Sequence, residues 1–280
     1  NPAMIGSVLG AVINIILDPI FISVLVLGAG GAATASVIGY IFTDAYFTWF
    51  LLKRSKKLSV NPKGFYIKAD ELKPIFAIGI PASITNLMQS FGIMMTNRFL
   101  LPYGNEKVAA MGIVMKVNMI AVLVLVGFAF GGQPLIGYNY GANNKKRLKD
   151  ILAFCYKFEC GLAAVLAVIL CVAARPLIQI FMDQPEIVPA GVSMLRFQQL
   201  GMIFIAIVLV TTCTFQSAGK ASGAFWLSVS RQGLIFAVVI FAASKAIGYN
   251  GVIAAQPVSD FLTAVLAVVL FKKQLGGFFK

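Results

Sequence analysis

The stretch "AVINIILDPIFI", Ala11 to Ile22, decides how this chain is read. An aspartate, Asp18, interrupts an apolar run, with Asn14 one helical turn before it and Pro19 directly after. If the run crosses a membrane, an acid near its centre costs about 2.5–3.5 kcal/mol on insertion scales. Something must offset that cost.

The surroundings are those of a membrane span. Hydrophobic residues make up 59% of the 280-residue chain and charged residues 12%. A typical soluble domain carries about 25% charged residues. Eight stretches are almost free of charge, at about 3–24, 32–52, 74–100, 108–135, 151–173, 190–215, 222–245 and 251–271. Each is long enough to cross a hydrocarbon core of about 30 Å. The expected fold class is therefore an all-α integral membrane bundle with eight spans, the last six forming a compact unit.

A net charge of +13 raises the question of nucleic acid. Its placement answers otherwise. Lys53, Arg54, Lys56, Lys57, Lys63, Lys68 and Lys73 share one connection; Lys145, Lys146, Arg147 and Lys149 share another; Lys272, Lys273 and Lys280 form the tail. If the spans alternate, these segments lie on one side. The opposite connections hold Lys107, Arg175 and Lys245 with Glu106, Asp183 and Glu186. This positive-inside pattern puts the basic loops and the C-terminus in the cytoplasm of a multi-pass plasma-membrane protein. No stacking aromatics interleave with the lysines, so no nucleic-acid groove is expected.

Other chemistries are excluded by what the sequence lacks. There is no histidine, which removes histidine triads and histidine metal sites. Cys155, Cys160, Cys171 and Cys213 fall in predicted spans with no zinc spacing and read as small buried residues. No Walker loop, Gly-x-Ser-x-Gly elbow or nucleotide-binding module is present. The chain is read as neither an enzyme nor an ATP-driven pump, and no cofactor is expected. It opens Asn1-Pro2 and enters a span at once, which reads as a piece of a longer protein.

The polar run 53–73 divides the chain into two spans and six, and its end, Phe65 to Leu72, reads as a helix at the membrane surface. A weak repeat relates the ends. Residues 30–36 and 250–256 both follow one apolar span and start another, and a shift of 220 residues puts Lys53 on Lys273. In that alignment Asn14 falls on Leu234 and Asp18 on Val238. Weak symmetry with polar residues in one copy only is typical of secondary transporters.

Four segments carry a family resemblance: "NIILDPIFI" (Asn14 to Ile22) followed by "GAGGAATASVIGY" (Gly28 to Tyr40), "IGIPASITNLMQS" (Ile78 to Ser90), "GGQPLIGYNYGANNKKRLKDIL" (Gly131 to Leu152) and "FQSAGKA" (Phe215 to Ala221). With them the chain resembles the multidrug and toxic compound extrusion (MATE) family, and the run Gly112 to Tyr140 resembles its bacterial multidrug subgroup. The resemblance implies spans five to twelve of a twelve-span, two-lobed fold. Residues 1–52 would be the last two helices of the N-terminal lobe, 53–73 the cytoplasmic connection and 74–280 the six-helix C-terminal lobe.

Asn14 and Asp18 share a helical face, and a carboxylate with an amide oxygen begins a cage of hard ligands for a cation. The resemblance adds Ser36, where the family usually has threonine, and the Ala32 carbonyl as ligands for sodium or a proton. The other reading is structural: Asp-Pro kinks and caps a helix, with Asn14 bonding to a neighbour. Pro81, Pro134 and Pro257 read as kinks, the first and last also as shapers of a cavity. Asp44, Tyr40, Asn86, Met88, Gln89 and Met94 are candidates to line a substrate cavity. Counting depth along straight helices permits the ion pairs Lys116–Asp260 and Glu159–Arg231, with snorkelling of Arg231 to the interface as the alternative.

The expected function is export of amphipathic, often cationic, small molecules, coupled to Na+ or H+ and carried out by a monomer in the lipid bilayer. The alternative is a lipid-linked oligosaccharide flippase of the same superfamily, which would favour a strongly basic cavity.

Overall fold

The computed structural model describes residues 2–54 and 69–279. The described residues are helical, with no strand among them. They form two compact units, Asn1–Ala69 and Asp70–Lys280.

The first unit is a helical hairpin. Helix α1 (Pro2–Pro19) runs into a π-helical turn, Ile20–Val24, and α2 (Gly28–Arg54) returns. Proline has no amide hydrogen to give the preceding turn, and the wider π-turn follows directly on Pro19. The reversal needs two left-handed residues, Val26 at φ 55° and Gly28 at φ 56°. A β-branched residue there carries backbone strain. The buried residues of this hairpin are Gly6 and Gly10 on α1, and Gly31, Ala35 and Gly39 on α2. A β-carbon on Gly39 would lie 2.8 Å from the Gly10 carbonyl oxygen, and one on Gly10 would overlap the Thr43 hydroxyl. Lipid tails are as apolar as leucine, so helices in a bilayer associate through such small-residue seams. Thr43 reinforces the seam by donating to the carbonyls of Gly39 (3.0 Å) and Gly6 (3.3 Å).

The second unit comprises α3 (Ala69–Leu100), α4 (Asn105–Gly131), α5 (Gln133–Gly141), α6 (Lys145–Val172), α7 (Ala174–Phe181), α8 (Ile187–Gln199), α9 (Met202–Ser217), α10 (Ala221–Val229), a π-helical turn Ser230–Leu234, α11 (Ile235–Ile247) and α12 (Tyr249–Leu275). Helix α4 packs chiefly on α8 and α9, α6 on α9, and α12 on α11, α9 and α8. Asn144 caps α6 by accepting from the Arg147 amide at 3.2 Å. Pro134 sits in the first turn of α5, after a break at Gly132, a position that needs no proline amide. Pro257 lies inside α12, which continues through it.

The chain is an all-α integral membrane protein. Among the described residues six helices are long and apolar enough to span a bilayer; the pair α8 and α9, bent by 47°, makes a seventh. The stretch 74–100, expected as the eighth, is helical within α3. Large apolar side chains such as Ile15, Leu52, Phe154 and Val238 face outward, as lipid contact requires. Two features depart from the expectation. The span at 190–215 is bent at Leu200 and Gly201, where α12 passes closely: a β-carbon on Gly201 would sit 3.2 Å from the Pro257 Cα and 3.0 Å from an Asp260 oxygen. Residues 174–181 form the short helix α7 rather than a plain connection. Of the connection 53–73 and the surface helix over 65–72, residues 55–68 lie outside the described residues, and Ala69 already begins α3.

Candidate functional site

Along α1, Gly6, Gly10, Asn14 and Asp18 follow one another at intervals of four and so lie along one row of the helix. The glycine half of the row lets α2 approach; the polar half is carried against it. A β-carbon on Gly39 would stand 3.3 Å from the Asn14 Cβ. The Asn14 amide then donates to Asp18 Oδ1 (3.5 Å) and to Ser36 Oγ (3.3 Å). The structure thus places a carboxylate, a carboxamide and a hydroxyl together in one hairpin, all three half-buried. The carboxamide is the shared centre. Among the described residues Asp18 makes no hydrogen bond to a backbone amide and caps no helix end. Ala32 lies beside the group but inside the second turn of α2, which starts at Gly28 rather than near residue 32. Its carbonyl belongs to the helical ladder, where the residue 36 amide takes it up.

The other candidates fall apart into separate places. Asp44 and Tyr40 are exposed on α2 in the first unit. In the second, Met88 is committed to packing, its sulfur 2.6 Å from where a Gly233 β-carbon would be. Asn86 and Met94 are exposed on α3, and only Gln89 of this set lines a cleft.

The expected ion pairs are corrected. Arg231 Nε donates to Asp260 Oδ1 at 2.8 Å, the only salt bridge among the described residues. Asp260 is buried, and the Gln256 amide donates to the same oxygen at 3.1 Å. Lys116 is exposed, and Glu159 is buried with Oε1 lacking a partner among the described residues. Equal depth does not bring residues together unless their helices are neighbours. Lys116 lies on α4, which packs on α8 and α9; Glu159 lies on α6, which packs on α9. Arg231 and Asp260 belong to consecutive antiparallel segments. Measured from the turn at Gly248 they differ in depth by about 7.5 Å at 1.5 Å per residue, which the long arginine side chain spans.

Several site-building residues escaped the sequence reading. Asn118 donates to Gln198 (3.3 Å) and accepts from Gln199 (3.4 Å), a carboxamide cluster at the α8–α9 bend. Its signal was present as Gln198-Gln199-Leu200-Gly201, two amides and a glycine in mid-span. The Gly6 and Gly10 row was likewise visible as a four-residue spacing.

A hairpin with an intramembrane carboxylate held by a carboxamide and a hydroxyl, within a multi-span helical protein, is the kind of element that ion-binding membrane proteins carry. The comparisons with known proteins give the family and the fold. The MatE family model matches residues 81–248, and the chain belongs to the MatE family. It is 30% identical over 268 residues to the multidrug export protein MepA of Staphylococcus haemolyticus, covering 96% of this chain and 59% of that protein. It is 29% identical to MepA of Staphylococcus aureus over the same shares. The chain thus spans about three fifths of the length of the curated relatives it matches. Among solved structures, the outward-facing conformation of a multidrug resistance MATE family transporter of the MOP superfamily aligns with a TM-score of 0.87 at 21% identity, over 98% of this chain and 62% of that one. A MOP superfamily transporter from Pyrococcus furiosus, described as having a binding pocket of reverse polarity suggesting a different function, gives 0.87 at 22% identity, over 99% and 63%. These likenesses establish the fold.

Proposed function

We propose that this chain carries the ion-coupling element of a secondary exporter of amphipathic, often cationic, small molecules. The observation that carries the reading is Asn14, which donates to both Asp18 and Ser36 across the hairpin. With the acid deprotonated, Asp18 supplies a hard anionic oxygen, while Asn14 and Ser36 contribute neutral oxygens once their side chains turn toward a cation. Protonation of Asp18 would use the same group without a cage. Either event removes the charge whose burial is costly, and so favours the conformation in which the hairpin is closed to water. Export follows if that conformation binds the substrate less well than its counterpart.

Residues 1–52 and 74–280 are taken as parts of two lobes that rock about a central cavity, with 53–73 as their cytoplasmic connection. The working unit is a monomer in the plasma membrane with its basic loops inside, carrying no cofactor and catalysing no bond chemistry. A second reading, a flippase for lipid-linked saccharides, draws on Lys116 and Arg231, which line one cleft.

The test is efflux of a fluorescent cationic dye from vesicles under an imposed sodium or proton gradient, with expression matched. Asp18→Asn is nearly isosteric and should fold while gradient-driven export falls to background. Pro19→Ala separates the structural alternative, which requires Pro19 to matter more than Asp18. Export by Asp18→Asn at the parent rate would end the coupling reading.

A further inference from the structure

We propose that the cleft in the second unit is a subsite for the carboxylate of an amphipathic compound, received by Arg231 and Lys116. The proposal rests on the exporter reading and specifies one substrate class for it.

The cleft holds about 320 Å³ and is walled by α3, α4, α8, α9, α12 and the π-helical turn at Ser230–Leu234. That is the small end of ligand-binding cavities, which run from about 300 to 1,000 Å³. Its charged lining residues are Lys116 and Arg231, and no carboxylate lines it among the described residues. Asp260 stands behind the arginine rather than in the cleft. The pair Arg231–Asp260 sums to zero, so Lys116 leaves the cleft net positive.

Arg231 is held from the back. Its Nε is taken by Asp260 at 2.8 Å, Asp260 is steadied by Gln256 at 3.1 Å, and the Ser259 hydroxyl donates to the Arg231 carbonyl at 2.9 Å. The terminal guanidinium nitrogens have no acceptor among the described residues. The side chain is only 17% exposed, so water competes weakly for those donors. A guanidinium fixed through Nε with both terminal nitrogens free offers the parallel pair of donors that a planar carboxylate matches. The π-turn contributes to this placement, and such turns concentrate at functional sites. The remaining wall is mixed: Ile93, Met119, Val122 and Ile205 give an apolar stretch suited to one ring system, and neutral amides such as Gln89 and Gln232 lie beside it without adding charge. A lipid diphosphate carries more negative charge than one lysine and one shared arginine neutralise, and its head group needs more room.

The experiment measures binding of dansylglycine and of dansylglycinamide to the purified protein in detergent, by dansyl fluorescence. The two probes differ only in carboxylate against carboxamide. The acid should bind about tenfold more tightly, the worth of one charge-assisted contact. Lys116→Gln should weaken the acid about fivefold and leave the amide unchanged. Arg231→Lys keeps the charge and a partner for Asp260 but loses the fork; it should weaken the acid several-fold with the melting temperature retained. Equal binding of acid and amide by the parent protein would overturn the proposal. So would equal loss of both probes in Lys116→Gln. Farnesyl diphosphate displacing dansylglycine with higher affinity than dansylglycine itself would also overturn it, in favour of a diphosphate site. The assay uses no ion gradient, so its failure leaves dye export untouched, and failure of Asp18 coupling leaves the acid preference standing.

Discussion

In the hairpin α1–α2 the connecting glycine, Gly28, has φ 56°; in the hairpin α11–α12, Gly248 has φ 58°. The two positions are related by the shift of 220 residues that aligns Lys53 with Lys273. The same shift relates Gly31, whose missing β-carbon would crowd the Phe21 carbonyl, to Gly251, which lies against the Ala243 carbonyl. It also relates Thr43, bonded to the Gly39 carbonyl, to Thr263, bonded to the Ser259 carbonyl. The two hairpins are built alike down to single hydrogen bonds. They differ in charge. The first holds a half-buried acid beside neutral donors, with no basic partner among the described residues. The second holds a buried acid, Asp260, with a guanidinium already on it. One carboxylate has only neutral neighbours among the described residues, as the proposed coupling role requires; the other has a cation tethered to the chain. The positions aligned with Asn14 and Asp18, Leu234 and Val238, are exposed apolar residues, yet the second hairpin is not without polarity. Its polar group sits at Arg231, Gln256 and Asp260.

The comparison is most severely tested by removing the tethered cation. Arg231→Ala leaves Asp260 charged or protonated in an apolar surround and should cost about 3–5 kcal/mol, read from thermal unfolding in detergent. Asn14→Ala in the first hairpin should cost less than about 1 kcal/mol, since its bonds are long and Asp18 is half-buried. Equal costs would erase the distinction between the two acids.

Next in size is the response to sodium. A ligand that binds only the folded state stabilises it by about 2.7 kcal/mol at a hundred times its dissociation constant. If sodium is the coupling ion, it should raise the melting temperature of the parent and of the neutral pair Arg231→Gln with Asp260→Asn. It should leave Asp18→Asn unmoved. Loss of the sodium effect in the neutral pair instead would move the ion site to the second hairpin.

The seam should respond next. Gly10→Ala adds a methyl against Thr43 and the Gly39 carbonyl, costing about 1–3 kcal/mol as overpacking, with ion binding weakened in parallel. Gly28→Ala should cost about 1–2 kcal/mol through its positive φ; Gly248, at φ 58° and ψ −130°, holds a conformation open essentially to glycine alone, and Gly248→Ala should cost about 1–3 kcal/mol. Smallest is Ser36→Thr, within about 0.5 kcal/mol and with transport retained, whereas Ser36→Val removes the oxygen and should lose ion binding.

How far the sequence foretold this follows from what each signal measures. Ser36, one of two hydroxyls in its stretch, is picked out only by the family resemblance; Asp18 and Asn14 stand out because a polar group in an apolar run is costly and the spacing of four puts them on one face. The spans were legible for the same reason. The ion pairs were not, because counting residues gives depth along a helix but not which helices are neighbours. Glu159 and Arg231 matched in depth while lying on helices that pack against different partners. The bend at Gly201 was missed because glycine carries no chemistry; its use, the close passage of α12, exists only once the helices are packed. The Gly6–Gly10 row was overlooked for the same reason, although it points straight at Asn14.

That row has a consequence for the order of assembly. The contacts described along it run between two consecutive helices: Gly6 with Phe47, Gly10 with Thr43, Gly39 with Asn14. During synthesis, a hairpin joined by a three-residue reversal enters the bilayer as a unit, and its seam can close before any later helix has left the ribosome. The polar triad then has its own partners within the hairpin, and the acid is half-buried against them while the rest of the chain is made.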